Sequence, residues 1–130
     1  VLRQYEVVIL DMAAGSEHLG RATARGVDVF LISVEPSETS LQTARHIKEL
    51  AEGLGLTKIF FIGNKIKNPS DFDFIQASLK DELIGSISFN RTLEGSRGRF
   101  VFDISSRKEF ENIYDKLASR LNSAPEKARN

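Results

Sequence analysis

The sequence predicts an α/β fold in which helices cover both faces of a mostly parallel β-sheet. Two observations carry this prediction. Several apolar runs of strand length are almost uninterrupted by polar residues, which is typical of strands buried on both faces. Segments with an apolar stripe at helical spacing separate these runs, and strands that alternate with helices form parallel sheets through right-handed crossovers. A length of 130 residues suits a single domain.

Four strands are predicted, at residues 7–10, 27–34, 58–62 and 83–88. The first three runs are apolar almost throughout, so we expect them to be central strands. The fourth run contains Gly85.

The first clear helix follows the second strand. Thr39 and Gln42 have the spacing of a capping box, in which each side chain bonds the other residue's backbone N–H. We expect this helix to end at Gly53 or Gly55, because glycine readily adopts the left-handed conformation at a helix end.

Two further helices are predicted. A short one begins near Ser70, and a long one begins at Ser106 with Glu109 completing a second capping box. The long helix has an apolar stripe at helical spacing. Its members are Phe110, Ile113, Tyr114, Leu117 and Leu121.

Composition excludes several classes of function. Eighteen basic and eighteen acidic residues balance, which argues against nucleic acid or an anionic membrane as a partner. No apolar run has the length of a membrane span and no signal peptide opens the chain, so we expect a soluble, cytoplasmic protein. Cysteine is absent, which excludes disulfides and thiolate metal sites in these residues.

Polar and small residues follow the first strand directly. Asp11 ends the run, and Gly15 lies in a stretch of small residues whose N–H groups could approach an anion. Ligands of open α/β sheets bind at the carboxyl ends of the strands, so a binding crevice is expected here. The alternative is a carboxylate that only caps the next helix. Glu35, after the second strand, is equally compatible with a charge favoured by a helix dipole.

The third strand runs into Gly63, Asn64 and Lys65. An asparagine amide has the donor and acceptor that pair with N7 and the exocyclic amine of adenine. The stem of Lys65 could lie along a base or ribose. A simple turn is the alternative, since Gly and Asn both tolerate left-handed geometry. Guanine-specific nucleotidases have an Asp where this chain has Lys67, so adenine is preferred over guanine.

Three segments together resemble the CooC-like ATPases of the MinD/ParA group. They are residues 11–28, Val-Glu-Pro-Ser at 34–37 and Gly-Asn-Lys at 63–65. The resemblance implies a P-loop nucleotidase fold of Rossmann-like type, ATP and Mg²⁺ as cofactors, and a homodimer formed around ATP. It also implies a role in inserting nickel into carbon monoxide dehydrogenase.

The resemblance assigns roles to individual residues. Asp11 would hold Mg²⁺ through a water, and the Gly15 N–H would sense the γ-phosphate. Asn64, with Lys65 beside it, would bind adenine. Phe89 would cover the base from the other side, between Ser88 and Asn90 where the family usually has Pro and Asp.

Other family features are absent from these residues. No glycine-rich phosphate loop with a lysine occurs, and neither does the family's nickel-binding cysteine pair. We therefore expect residues 1–121 to be the carboxyl-terminal part of a P-loop nucleotidase domain, with 122–130 a polar tail. Nickel would then be bound only by residues upstream of this chain. Alone, the chain should neither hydrolyse ATP nor bind nickel tightly.

Two other classes of function stay open at this point. The missing phosphate loop is also compatible with a non-catalytic α/β interaction module. A receiver-like signalling domain is a further alternative, since an Asp at one strand end and a Lys after another resemble a phosphoacceptor arrangement. The acidic cluster expected of a receiver is missing.

Overall fold

A computed structural model describes residues 7–12, 19, 26–95 and 103–122. Helices and strands alternate along the chain, as the sequence predicts. In order they are β1 (Phe30–Val34), α1 (Glu38–Gly53), β2 (Ile59–Ile66), α2 (Pro69–Leu79), a 3₁₀ turn (Lys80–Glu82), β3 (Leu83–Ser88), α3 (Arg91–Gly95) and α4 (Ile104–Asn122).

The three strands form one parallel sheet in the order β1-β2-β3. Val34 of β1 lies opposite Gly63 of β2, and Gly63 lies opposite Ser86 of β3. Consecutive parallel strands joined by a helix require crossovers, which α1 and α2 supply. The predicted α/β class and parallel arrangement are therefore confirmed.

Helices pack on both faces of the sheet. Gly63 faces α2, because a Cβ placed on it would lie 3.5 Å from Ile75 Cδ1. Gly85 pairs with Ile62, the neighbour of Gly63, and so points to the opposite face. There it faces Ile113 of α4. The prediction of helices on both faces is thus correct.

The main core lies between the sheet and the helices α1 and α2. Phe61, in the central strand, is its largest fully buried side chain. Each such side chain contributes roughly 1.5–3 kcal/mol through transfer out of water. The other members of this cluster are Ile32, Val34, Leu41, Ala44, Ala51, Leu56, Ile59, Ile75 and Leu79.

The predicted first strand is not a strand in the structure. Residues 7–10 have no regular secondary structure, and their side chains are exposed, with Ile9 85% accessible. An apolar run indicates a tendency to be buried, but a strand also needs a neighbour that completes its backbone hydrogen bonds. The described strands pair only with one another.

Strand bounds also differ from the prediction. β1 begins at Phe30 instead of residue 27, although Val27 still packs against the core. β2 continues to Ile66 and so includes the glycine, asparagine and lysine that were expected to form a loop. Hydrogen bonding to β3 explains the extension, since Ile66 pairs with Ser88.

All predicted helices are present, but their caps differ. The N-cap of α1 is Ser37, whose side chain accepts from the Ser40 N–H, so the predicted capping box of Thr39 and Gln42 is wrong. Asn68 caps α2 in the same way, with Pro69 as its first residue. Asp103 caps α4 by accepting from the Ser106 N–H at 2.7 Å, so the capping box at Ser106 and Glu109 is also wrong. Leu54 is the C-cap of α1, and Gly55 follows it at φ +91°.

The apolar stripe of α4 is buried only in part. Ile113 is buried against β3, whereas Tyr114 is 64% accessible. Helical spacing predicts which residues share a face, but the neighbouring elements decide how much of that face is covered.

Candidate functional site

The three strands bring their carboxyl ends to one edge of the sheet. Glu35 follows β1, Asn64 and Lys65 lie near the carboxyl end of β2, and Phe89 follows β3. The Phe89 N–H donates to the Ile66 carbonyl at 2.9 Å, which ties the end of β3 to the end of β2. Ligands of parallel sheets bind at this edge.

Asn64 lies where β2 becomes irregular. The pairing with β3 shifts register between Gly63 and Ile66. Lys65 adopts φ +55°, a left-handed conformation that costs a non-glycine residue free energy. The Asn64 Oδ1 accepts from the Lys65 N–H at 2.9 Å, and the side chain is partly buried. The amide is therefore oriented by its own strand, with its Nδ2 donors directed away from that bond.

Lys65 also contacts the end of β1. Its Nζ lies 2.7 Å from Glu35 Oε1, and both side chains are about half exposed. The Glu35 N–H donates to Ser40 Oγ, which anchors the loop to the first turn of α1. An exposed ion pair of this kind contributes about 0–1 kcal/mol, so its effect is on orientation more than on stability. Glu35 therefore forms an ion pair with Lys65, in addition to any favourable interaction with the dipole of α1.

Phe89 lies beside Lys67, the residue that stands where guanine-specific nucleotidases have an Asp. The Lys67 Nζ is 4.9 Å from the centroid of the Phe89 ring, within the range of a cation–π contact. The Lys67 N–H donates to Asp71 Oδ2, which attaches this lysine to the start of α2. One side of the ring is therefore occupied by the lysine, and the ring itself is partly buried.

The residues on either side of Phe89 bond to α4. Ser88 donates its N–H, at 3.0 Å, and its hydroxyl to the carboxylate of Glu109. Asn90 donates from Nδ2 to Ser106 Oγ at 3.5 Å, and its Oδ1 accepts from the N–H of Thr92 in α3. The loop is therefore held by side chains that are distant in sequence.

The structure does not place Asp11 and Gly15 at the edge of the sheet with the other candidate residues. Asp11 is exposed in the irregular segment 7–12, and Gly15 lies outside the described residues. Within the described part of the chain, no three acidic or histidine side chains group together as a metal site. The structure therefore places Asn64, Lys65 and Phe89 at the same edge of the sheet, and the roles assigned to all five residues stay predictions.

Sequence reasoning missed the contribution of α4. Glu109 was interpreted as part of a helix cap, because three-residue spacing after a serine is a local signal. Its actual partner, Ser88, lies 21 residues away. Nothing in the local pattern around Glu109 indicates that partner.

No helix in the described ranges has both the length and the apolarity needed to cross a membrane.

Comparison with known proteins identifies relatives over most of the chain. Carbon monoxide dehydrogenase accessory protein CooC of Rhodospirillum rubrum is 40% identical over 106 residues, which cover 79% of this chain and 40% of that protein. An uncharacterized ATP-binding protein of Methanocaldococcus jannaschii is 36% identical over 129 residues, covering 94% of this chain and 50% of the relative. The chain thus spans half or less of the length of these relatives. No family model matches it.

A solved structure shares the fold. It is a putative plasmid partition protein from Borrelia burgdorferi B31 bound to AMPPNP, with a TM-score of 0.60 and 22% identity. The match covers 72% of this chain and 39% of that one. Its identity is too low to show more than the fold.

The fold and these matches define an α/β protein related to ATP-binding proteins. More particularly, the chain is a homologue of CooC and of the ATP-binding protein of M. jannaschii, which confirms the resemblance to the CooC-like group.

Proposed function

We propose that this chain supplies the base-binding edge of an ATP-binding protein of the CooC kind. Asn64 would read adenine and Phe89 would cover it. The observation that supports this most is their placement at the adjacent ends of β2 and β3, joined by the bond from Phe89 N–H to the Ile66 carbonyl. An oriented amide near the end of β2 and a partly buried aromatic ring after β3 would supply hydrogen bonding and stacking for a purine.

Specificity for adenine follows from the charges at this edge. Lys65 and Lys67 present donors only, whereas guanine recognition needs an acceptor for its ring N–H and exocyclic amine. The carboxylates described near this edge already have partners: Glu35 pairs with Lys65 at 2.7 Å, Asp71 accepts from the Lys67 N–H, and Glu109 accepts from Ser88. The amide of Asn64 can still donate to N7 of adenine through Nδ2.

Asp11 and Gly15 are proposed to face the phosphates and Mg²⁺. The exposed Asp11 carboxylate fits this role, because Mg²⁺ prefers oxygen ligands and keeps several of its waters. When bound, Mg²⁺ would neutralise charge on the phosphate oxygens. The contribution of Asp11 would be to accept hydrogen bonds from the waters of the ion.

The activity of the whole protein is proposed by similarity. These residues contain no glycine-rich phosphate loop, so we assign ATP hydrolysis to this domain only together with such a loop from outside residues 1–121. The 40% identity to the R. rubrum accessory protein supports carbon monoxide dehydrogenase as a client and nickel as its cargo. We also propose that the protein forms a homodimer when ATP is bound.

Replacement of Asn64 by alanine tests the base-binding role. In the protein as its gene encodes it, we expect Asn64→Ala to weaken ATP binding by about 1–3 kcal/mol, the usual discrimination of a bidentate amide–adenine pair. Binding of tripolyphosphate, which has no base, should stay within twofold. Isothermal titration with both ligands provides the comparison.

Asn122→Ala is the matched control, because Asn122 is exposed in the last turn of α4. Its neighbour Leu121 accepts a hydrogen bond from Lys58, which precedes β2 and so lies at the opposite end of the strand. This variant should leave both affinities unchanged. An equal loss of ATP and tripolyphosphate binding in Asn64→Ala would contradict adenine reading. A wild-type protein that binds neither ligand would favour the non-catalytic interaction module.

A further inference from the structure

The loop that carries Phe89 is held by helix α4, not by its own backbone alone. Glu109 accepts two hydrogen bonds from Ser88, one from the N–H at 3.0 Å and one from the hydroxyl. On the other side of Phe89, Asn90 reaches Ser106. Both flanking residues are thus attached to the first two turns of the same helix.

Burial supports the Ser106 anchor, whereas two hydrogen bonds to one carboxylate support the Ser88 anchor, which is exposed to solvent. Ser106 is 9% accessible, and Glu109 is partly buried beside β3. A partly buried carboxylate is stabilised when it accepts hydrogen bonds, and bonds to an ionised acceptor are stronger than neutral ones. The Ser88–Glu109 contact is therefore one of the stronger polar contacts near the sheet edge.

The ring of Phe89 is restricted from a second direction. Lys67 lies over it at 4.9 Å, so the proposed stacking of a purine on Phe89 requires the opposite side of the ring. Fixing the backbone on both sides of Phe89 determines where that side points. Loss of the anchor would let the ring turn without disturbing the strands themselves.

We propose that Glu109 is a positioning residue for the nucleotide base: through Ser88 it sets the orientation of Phe89 as the stacking surface, with Ser106 and Asn90 as a second anchor. The inference rests on the proposed function, because it assumes that a purine stacks on Phe89. It adds a contribution from α4, an element that otherwise lies outside the strand ends.

The test compares a ligand with a base against one without. Affinities for ATP and tripolyphosphate are measured by isothermal titration in the protein as its gene encodes it, for wild type, Glu109→Ala, Glu109→Gln and Ser88→Ala. Stacking of a base on an aromatic ring is substantial, so we expect Glu109→Ala and Ser88→Ala each to weaken ATP binding roughly tenfold. Tripolyphosphate binding should change less than twofold.

Two features separate positioning from general destabilisation. Glu109→Gln keeps one acceptor for the Ser88 hydroxyl and should lose less ATP affinity than Glu109→Ala. The double variant Ser88→Ala/Glu109→Ala should bind ATP no more weakly than either single variant, because both remove the same contact. Glu111→Ala is the control on the same helix, since Glu111 forms its ion pair with Arg107, one turn away on α4.

The outcomes are distinguishable. Unchanged ATP affinity in Glu109→Ala, or equal loss for ATP and tripolyphosphate, would overturn the positioning role while leaving the proposed function intact. A wild-type protein that binds ATP no better than tripolyphosphate would remove the proposed base-binding function, and this inference with it.

Discussion

At the scale of single residues, Gly85 shows how a close approach between elements depends on one missing side chain. A Cβ at this position would lie 2.5 Å from Ile113 Cγ1. Ile113 is buried, and a β-branched side chain has few alternative rotamers in a helix. Glycine in β3 therefore permits α4 to pack directly on the sheet.

Gly85→Ala should destabilise the fold. The added methyl group must push Ile113 and α4 away, and overpacking of this kind costs about 1–3 kcal/mol. Chemical denaturation followed by circular dichroism measures the change. Gly53→Ala is the control, because a Cβ there meets nothing within 4 Å and alanine favours the helix by up to about 1 kcal/mol. Equal stability of the two variants would argue against direct packing of α4 on Gly85.

At the scale of elements, the start of α4 connects helix capping to the candidate site. Because Asp103 caps the helix, Ser106 and Glu109 are inside it and are directed toward the loop after β3. A helix that began at Ser106 would use Glu109 as its own cap. The position of one cap thus decides whether Glu109 can bond Ser88.

The cap should make stability depend on pH. The hydrogen bond from the Ser106 N–H lowers the pKa of the Asp103 carboxyl below its ordinary value of 3.8. Since the folded pKa is the lower one, the carboxylate stabilises the fold fully above pH 3.8. This stabilisation is lost as the pH falls through the folded pKa.

Asp103→Asn tests this dependence, because asparagine caps helices well but does not titrate in this range. Urea midpoints measured at pH 3 and pH 6 should differ less in Asp103→Asn than in wild type. Asp73→Asn, on the exposed side of α2, should retain the wild-type difference. If Asp103→Asn instead kept the full difference, the cap would not be its source.

At the scale of the whole molecule, the described fold is a three-stranded sheet with its core on one side and α4 on the other. Residues 7–10 lie outside this arrangement and expose four consecutive apolar side chains. Exposed apolar patches of this kind are unusual on soluble domains and mark surfaces that other elements cover.

Substitution of a buried and of an exposed isoleucine compares how much each position contributes to the free energy of unfolding. Ile75 is fully buried and Ile9 is 85% accessible. In the 130-residue chain, Ile75→Ala should cost about 2–5 kcal/mol, and Ile9→Ala should stay within about 0.5 kcal/mol. Denaturant midpoints of both variants provide the measurement. A comparable loss in Ile9→Ala would mean that residues 7–10 are buried in solution, as their sequence predicts.

Much of the fold was predictable because its signals are local. The residues of β3 and the end of α1 follow from apolar runs and glycine positions within a few residues. The caps of α1 and α4 were missed, because Ser37, Thr39, Asp103 and Ser106 are all good caps and only backbone geometry selects among them. At the candidate site, Asn64, Lys65 and Phe89 were predicted from residue type and resemblance, and their roles stay predictions.

By itself, the sequence determined the α/β class, the alternation of helices with parallel strands, and the relation to CooC-like proteins. These properties depend on periodicity and residue identity, which are local features of the chain. Tertiary structure alone decided that Lys65 pairs with Glu35, that Glu109 bonds Ser88, and that residues 7–10 lie outside the three-stranded sheet of the described residues. These outcomes depend on which distant groups meet in space. Hydrogen bonds and ion pairs act over a few ångströms, and no local sequence pattern specifies which distant residues come within that range.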